Sequence, residues 1–136
     1  AEMEKRNIHL QQKYAEIEEK EVRYEEIHCD DAEYLIVAFG SCARIAQKAM
    51  EEARAEGIKV GLLRPITLWP FPSKAIAERS RQVKGILTVE PNAGQMVEDV
   101  RLAVECKVPV EYFGRLGGIV PDPDEVVTAL KEKIIK

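Results

Sequence analysis

The sequence predicts an α/β fold in three α/β/α layers with a mostly parallel sheet. Four short apolar runs are nearly continuous, as is typical of strands that are buried on both faces of a sheet. A helical pattern follows each run, so strand and helix alternate four times. Residues 2–20 contain neither glycine nor proline, which predicts an amphipathic helix ahead of this α/β region.

The first helix carries a narrow apolar stripe. Met3, Leu10 and Ile17 lie seven residues apart, and Tyr14 falls on the same face. Because no second apolar position recurs in each heptad, a coiled coil of this helix alone is not expected, and we predict that it packs on another domain or a partner. The helix and an extended segment after it form the first predicted unit, residues 1–30.

The second predicted unit, residues 31–136, contains the four strand and helix pairs. The strands are predicted at Tyr34 to Phe39, Lys59 to Leu63, Gly85 to Val89 and Val108 to Phe113. Ser41 is expected to cap the first of their helices. Asn92 and Gln95 have the spacing of a capping box for the third helix. Asp122 is the expected cap of the fourth, with a proline at the first helical position.

Composition and charge narrow the classes of function. No apolar run approaches the roughly 18 residues of a membrane span, and the charged N-terminus lacks the apolar segment of a signal peptide. We therefore expect a cytoplasmic protein without membrane contact. Residues 1–33 carry 11 acidic and 5 basic groups, a net charge of −6, whereas the remainder carries +2. No basic patch indicates a nucleic-acid partner.

The three cysteines do not form a recognisable site. Cys29, Cys42 and Cys106 are widely spaced and odd in number, so neither a disulfide framework nor a metal or iron–sulfur site is expected. Cys42 lies in the first turn of a predicted helix, where the helix dipole can lower a thiol pKa. A thiol enzyme is the less favoured alternative, because no base accompanies Cys42 in the sequence, and we expect a packed structural thiol.

Polar residues follow the predicted strands at the edge where parallel strands end. Arg64, Glu90 and Arg115 should meet there beside Asn92 and Gln95, and we call these five residues the predicted rim. Two guanidinium groups next to a carboxylate can bind an anionic ligand or dock a partner through charge-assisted hydrogen bonds. The alternative is an internal ion-pair network that supports the loops. A catalytic role is the least favoured of the three, and no catalytic residue is assigned.

Two further segments are unusual in composition. The run from Arg64 to Pro72 is too rich in proline for a helix and too apolar for a solvated loop, so Trp69 and Phe71 are expected to insert against the domain or across an interface. The run from Gly114 to Gly118 holds three glycines, which permit close backbone approach. It either projects Arg115 from a constrained loop or simply forms a tight connection to the last helix.

Four segments taken together resemble the C-terminal domain of the alpha subunit of 2-oxoacid:ferredoxin oxidoreductases, which are thiamine-dependent enzymes. The segments are Asp31 to Ser41, Gly61 to Pro72, Glu90 to Met96 with Asp99 to Arg101, and Gly114 to Gly118. They occur in the family's order with fitting spacing, and the resemblance extends from about Asp30 to the C-terminus. It implies a transketolase C-terminal-like fold, in agreement with the elements predicted above.

The resemblance also implies that the chain is one part of a larger enzyme. In this family a pyrimidine-binding domain precedes such a domain, and thiamine diphosphate binds between that domain and the beta subunit. Iron–sulfur clusters lie elsewhere, and coenzyme A is used by the whole complex. We therefore expect this chain alone to bind no cofactor and to be inactive. The expected partners are the upstream domain, the beta subunit and the other subunits of an oligomer.

The implied function is that of a non-catalytic assembly domain. The reaction implied for the parent enzyme is the oxidative decarboxylation of a 2-oxoacid with coenzyme A, giving an acyl-CoA, carbon dioxide and reduced ferredoxin. The predicted rim and the segment of Trp69 and Phe71 would dock on neighbouring domains. The alternative is a small α/β module whose rim binds an anionic ligand such as coenzyme A.

Overall fold

Helices cover both faces of a five-stranded sheet in the computed structural model, which describes residues 1–116 and 119–136. The helices are α1 (Glu2–Glu21), α2 (Ser41–Ala55), α3 (Ser73–Ser80), α4 (Met96–Val104) and α5 (Pro123–Ala129), and a π-helical segment, Leu130–Ile135, continues α5. The strands are β1 (Tyr24–Ile27), β2 (Tyr34–Ala38), β3 (Val60–Pro65), β4 (Ile86–Glu90) and β5 (Val110–Gly114).

The strand order of the sheet is β1-β3-β2-β4-β5. Strands β2 to β5 run parallel, and β1 pairs antiparallel with β3 at one edge. From β2 the chain first crosses to β3 on one side and then returns past β2 to β4 on the other. The strand order therefore reverses between β2 and β4. The loops after these two strands flank the point where open α/β sheets form a crevice.

Two cores, one on each face of the sheet, give the three-layer architecture that was predicted. Neighbouring residues of a strand point to opposite faces. Ile36 of β2 packs in one core with Met50 of α2 and Val126 of α5. Leu35, its neighbour, packs in the other core with residues of α3 and α4, among them Ile76. Because β2 is buried on both faces, its sequence is a continuous apolar run.

The segment predicted as an extended linker after the first helix is a strand of the sheet, β1. Two arginines hold this strand and the turn after it. Arg79 donates a hydrogen bond to Glu26 of β1 at 2.6 Å. Arg54 donates to Asp31 at 2.6 Å and to the carbonyl of His28 at 2.7 Å. The first strand of the sheet therefore lies before the predicted boundary at residues 30 and 31. The division of the chain into two units stays a prediction.

The helix starts differ from the predicted caps. Ser41 is the first residue of α2 and makes no cap hydrogen bond, because Gly40, with a φ of 62°, already turns the chain into the helix. Asp122 precedes α5 as predicted, yet its side chain makes no cap hydrogen bond. Helix α4 begins at Met96 and not directly after Asn92, because the residues between them form a hydrogen-bonded turn of their own.

The N-terminal helix α1 lies on the surface with its predicted apolar stripe largely uncovered. Met3 is 78% exposed, and Leu10 and Tyr14 are exposed as well. The ring of Tyr14 meets the ring of Trp69 edge to face, with the centroids 6.1 Å apart. That this stripe packs on another domain or on a partner stays a prediction. Within residues 1–116 and 119–136, no helix is long and apolar enough to cross a membrane.

Candidate functional site

Glu90, the last residue of β4, is a fully buried carboxylate at the edge of the sheet where the parallel strands end. Its Oε1 accepts hydrogen bonds from the backbone N–H groups of Gln95 at 3.0 Å and Met96 at 2.5 Å. Its Oε2 accepts one from the N–H of Val97 at 2.9 Å. The start of a helix has no internal partners for its N–H groups and carries partial positive charge. Helix α4 therefore balances the buried charge of Glu90.

The predicted cluster of Arg64, Glu90 and Arg115 does not form, and the ion pairs of the described residues include none to Glu90. Arg64 of β3 lies 3.7 Å from Glu25 of β1. Arg115 donates to Glu125 of α5 at 2.7 and 3.1 Å. The reason is the strand order, since β3 and β5 are three strand spacings apart, roughly 14 Å. Each arginine pairs with a carboxylate on a nearer element.

Asn92 shapes the loop between β4 and α4. Its Oδ1 accepts hydrogen bonds from the N–H groups of Gly94 at 2.9 Å and Gln95 at 3.3 Å, the pattern of an Asx turn. Its backbone carbonyl accepts a hydrogen bond from the hydroxyl of Tyr112 on β5. Gly94 has a φ of 100°, which favours glycine. Asn92 therefore makes the predicted bond to the N–H of Gln95, but it does not start the helix. Helix α4 begins at Met96, where the carboxylate of Glu90 accepts the first N–H groups.

Two titratable groups lie near the carboxylate of Glu90. Burial raises the pKa of the Cys42 thiol, and the negative charge of Glu90 raises it further. Burial and then the charges of Glu90 and Cys42 raise the pKa of the Tyr112 hydroxyl above 10.0. Cys42 is fully buried, as expected of a packed thiol. A thiol enzyme requires the opposite, an accessible cysteine with a lowered pKa.

The Trp69 loop, residues 66–71, follows β3 at the same edge of the sheet. Thr67 anchors its base, because the hydroxyl donates to the carbonyl of Pro70 at 2.8 Å and accepts the N–H of Arg23 at 3.0 Å. Phe71 is partly buried and packs against the core on the α3 and α4 side of the sheet. The loop is thus held at both ends.

The aromatic ring at the centre of the Trp69 loop points outward. The indole is 61% exposed, and Ile66 and Leu68 beside it are exposed as well. Its aromatic contact is with Tyr14 of α1. Trp69 and Phe71 were predicted to insert against the domain or across an interface. Phe71 packs against a core, whereas Trp69 contacts Tyr14 at the surface.

A cavity of about 360 Å³ lies between β5 and α5 at this edge. It is lined by Phe113, Arg115, Asp124, Glu125 and Thr128. Since Arg115 is already bonded to Glu125 and Asp124 adds a second negative charge, the cavity has no net attraction for an anion. Gly117 and Gly118 of the predicted glycine-rich loop lie outside the described residues.

Reasoning from the sequence did not find the residues that bond to Arg64, Arg115 and Asn92. Glu25, Glu125 and Tyr112 come from segments far from the residues they bond, so no local pattern marks them. One signal was available, because Glu90 is a carboxylate that ends a buried apolar run six residues before Met96, where α4 begins. In the described part of the chain, no three histidine, cysteine, aspartate or glutamate residues form a group that could hold a metal ion.

Comparisons with known proteins agree with this fold. The chain matches the family model of pyruvate:ferredoxin oxidoreductase core domain II over residues 32–126. It is 50% identical over 131 residues to the ketoisovalerate oxidoreductase subunit VorB of Methanothermobacter thermautotrophicus, covering 96% of this chain and 37% of that protein. It is 33% identical over 101 residues to the 2-oxoglutarate synthase subunit KorA of Methanothermobacter marburgensis, covering 74% of this chain and 27% of that protein. The chain spans about a third of the length of these relatives.

Two solved structures are similar. One is a 2-oxoglutarate:ferredoxin oxidoreductase from Magnetococcus marinus with 2-oxoglutarate, coenzyme A and succinyl-CoA bound, with a TM-score of 0.72 and 26% identity over 82% of this chain and 19% of that one. The other is a split-gene transketolase, with a TM-score of 0.71 and 21% identity, covering 83% of this chain and 41% of that one. At this identity the similarity shows the fold alone. The resemblance drawn from the four sequence segments is confirmed. The chain belongs to the pyruvate:ferredoxin oxidoreductase core domain II family.

Proposed function

We propose that this chain is the non-catalytic assembly domain of the alpha subunit of a thiamine-dependent 2-oxoacid:ferredoxin oxidoreductase. The observation that carries the proposal is the 50% identity to VorB over 96% of the chain, which accounts for 37% of VorB. The parent enzyme converts a 2-oxoacid and coenzyme A to an acyl-CoA, carbon dioxide and reduced ferredoxin in this proposal. The chain alone is expected to be inactive.

The Trp69 loop is the docking surface in this proposal. An exposed indole on a loop that is anchored at both ends resembles the aromatic anchors of protein interfaces, where little conformational entropy is lost on binding. The predicted rim contributes indirectly, because Glu90, Asn92 and Arg115 are bonded within the chain and hold its loops. The proposed partners are the upstream pyrimidine-binding domain, the beta subunit and the other subunits of an oligomer.

The test of docking is Trp69→Ala in the complete alpha subunit, with association to the beta subunit measured by calorimetry. We expect a loss of about 2 kcal/mol in binding free energy, which is typical of a buried aromatic anchor. The matched control is Leu102→Ala, which removes an apolar side chain that is 77% exposed on α4 and is not part of the loop. Equal association of both variants and the wild type would reject the docking role.

Thiamine diphosphate, the iron–sulfur cluster and coenzyme A are held by other parts of the complex in this proposal. The cysteines of this chain do not fit a cluster, because Cys29 and Cys42 are buried in cores on opposite faces of the sheet and Cys106 is exposed. The rim does not fit a diphosphate. Its arginines are paired with carboxylates, and Glu90 already occupies the first turn of α4.

The second candidate is an anionic ligand, such as coenzyme A, at the rim. It has one supporting observation, since the structure of the Magnetococcus marinus enzyme contains coenzyme A. Calorimetry of the 136-residue chain with coenzyme A separates the two candidates. The assembly proposal predicts no heat, because Arg64 and Arg115 are already paired. Micromolar binding that disappears in Arg115→Ala would favour the ligand-binding module.

We infer that ketoisovalerate is the 2-oxoacid of the parent enzyme. The support is the identity of 50% to VorB against 33% to KorA. The complete enzyme should therefore have a higher kcat/KM for ketoisovalerate than for 2-oxoglutarate or pyruvate. A preference for 2-oxoglutarate would contradict this substrate, and it would leave the assembly role unaffected because the docking experiment measures association directly.

A further inference from the structure

Two buried side chains border the crevice at the reversal of strand order. The loops after β2 and β4 flank it, and ligands of open α/β sheets bind between such loops. Glu90, at the end of β4, and Cys42, in the first turn of α2, are both fully buried. The two groups are close enough that the charge of Glu90 raises the pKa of the Cys42 thiol. The hydroxyl of Tyr112 bonds to the carbonyl of Asn92 beside them. The carboxylate and the thiol are therefore both covered by the chain itself.

Helices α2 and α4 begin on either side of this crevice and differ at their first turns. Helix α2 opens at Ser41 with no side-chain cap. Helix α4 opens with the N–H groups of Met96 and Val97 bonded to the carboxylate of Glu90, and the N–H of Gln95 just before it is bonded to the same group. Of the two helices, α4 is the one with an anion at its positive end, and the chain itself supplies that anion.

We propose that Glu90 is the positioning residue of this edge, an anion built into the chain that takes the place of an external ligand at the first turn of α4 and fixes the loop from Pro91 to Gln95. Backbone N–H groups that converge on one carboxylate are the arrangement with which helix starts bind free anions. In the wild type, the N–H groups at the start of α4 are therefore not available to phosphate or to coenzyme A. The loop also has a single geometry before any partner docks.

Glu90 has this role whether or not the Trp69 loop docks on a partner. The experiments therefore use the 136-residue chain alone, and a failure of docking does not alter their outcome. They need two kinds of variant. Glu90→Gln retains the volume of the side chain and removes its charge, whereas Glu90→Ala removes both and leaves space for a small carboxylate.

Amide hydrogen exchange tests the bonds directly. In the wild type, the amides of Gln95, Met96 and Val97 should exchange more slowly than the amide of Ser41, which has no cap. In Glu90→Gln their protection should fall by about 10- to 100-fold, as expected from the loss of charge-assisted hydrogen bonds. Protection at Leu87 in β4 should change much less. Equal loss at all four amides, or no loss, would overturn the proposal.

Chemical rescue distinguishes a bound anion from mere packing. Acetate should raise the thermal midpoint of Glu90→Ala more than sodium chloride does at the same ionic strength, whereas the wild type should gain nothing beyond the salt effect. The control is Glu51→Ala, which removes an exposed carboxylate from α2 and should show no specific acetate effect. Absence of a specific acetate effect, with full stability of Glu90→Gln, would show that Glu90 only fills space. If Glu90→Ala does not fold, the exchange experiment on Glu90→Gln decides alone.

Discussion

The Glu90 corner, formed by Cys42, Glu90, Asn92 and Tyr112, and the Trp69 loop lie at the same edge of the sheet, yet they meet their surroundings in opposite ways. The corner holds a charged side chain that is fully buried and bonded to three backbone N–H groups. The loop holds a large aromatic ring that is mostly exposed. A charge whose hydrogen bonds are all made inside the chain is structural, whereas an exposed ring on an anchored loop remains available for a partner.

The largest loss of stability is expected from removing the carboxylate of Glu90. Glu90→Ala should lower the free energy of unfolding by about 3 kcal/mol, because three N–H groups lose a charged acceptor and buried volume is emptied. Urea unfolding at neutral pH measures the change. Glu90→Gln, which retains volume and one acceptor oxygen, should lose less than Glu90→Ala. A loss below about 1 kcal/mol for Glu90→Ala would mean that the corner is not structural.

A smaller effect is expected at the glycine opposite Glu90. Gly114 pairs with Glu90 across the sheet, and a Cβ there would overlap the carbonyl oxygen of Glu90 and lie 2.9 Å from Cε2 of Tyr112. Gly114→Ala should therefore cost about 1–3 kcal/mol in unfolding free energy. The φ of Gly114 lies outside the left-handed region, so this cost comes from the overlap and not from backbone strain. A neutral Gly114→Ala would contradict the tight approach of β4 and β5.

The corner should also weaken at alkaline pH. Burial and the charge of Glu90 raise the pKa of Tyr112 in the folded state, so the folded chain binds this proton more tightly than the unfolded chain. The stabilisation is fully present below the unfolded pKa of about 10 and is lost as the pH rises through the folded value. Urea unfolding at a series of pH values from about 8 to 11 should show a shallower decline in Tyr112→Phe. Identical profiles would place Tyr112 outside the influence of Glu90.

The smallest effect on stability is expected from the Trp69 loop. Trp69→Ala should change the unfolding free energy by less than about 0.5 kcal/mol, since the ring is largely exposed and its aromatic contact is with the surface residue Tyr14. Phe71→Ala should cost more, because that ring packs against a core. Thermal and urea unfolding of both variants test the contrast. A large loss for Trp69→Ala would mean that the loop is part of the core.

Much of the fold follows from local patterns. The four predicted strands agree with β2 to β5 within two residues at each end, because strands buried on both faces must be continuously apolar. The start of α4 was predicted three residues too early, with Asn92 and not Gln95 as the N-cap, because Asn92 and Gln95 have the spacing of a capping box. The short strand β1 was taken for a linker, since its Tyr-Glu-Glu-Ile sequence lies at an edge and is only half covered.

The sequence by itself determined the fold class, the family and the identity of the polar residues that end the strands. Tertiary structure alone decided which of these residues meet. The order β1-β3-β2-β4-β5 separates Arg64 from Arg115 and leaves each beside a carboxylate, while Glu90 faces the first turn of α4. The physical reason is that strand order is set by pairing between segments far apart in the chain, whereas propensity and periodicity report only on neighbours in sequence.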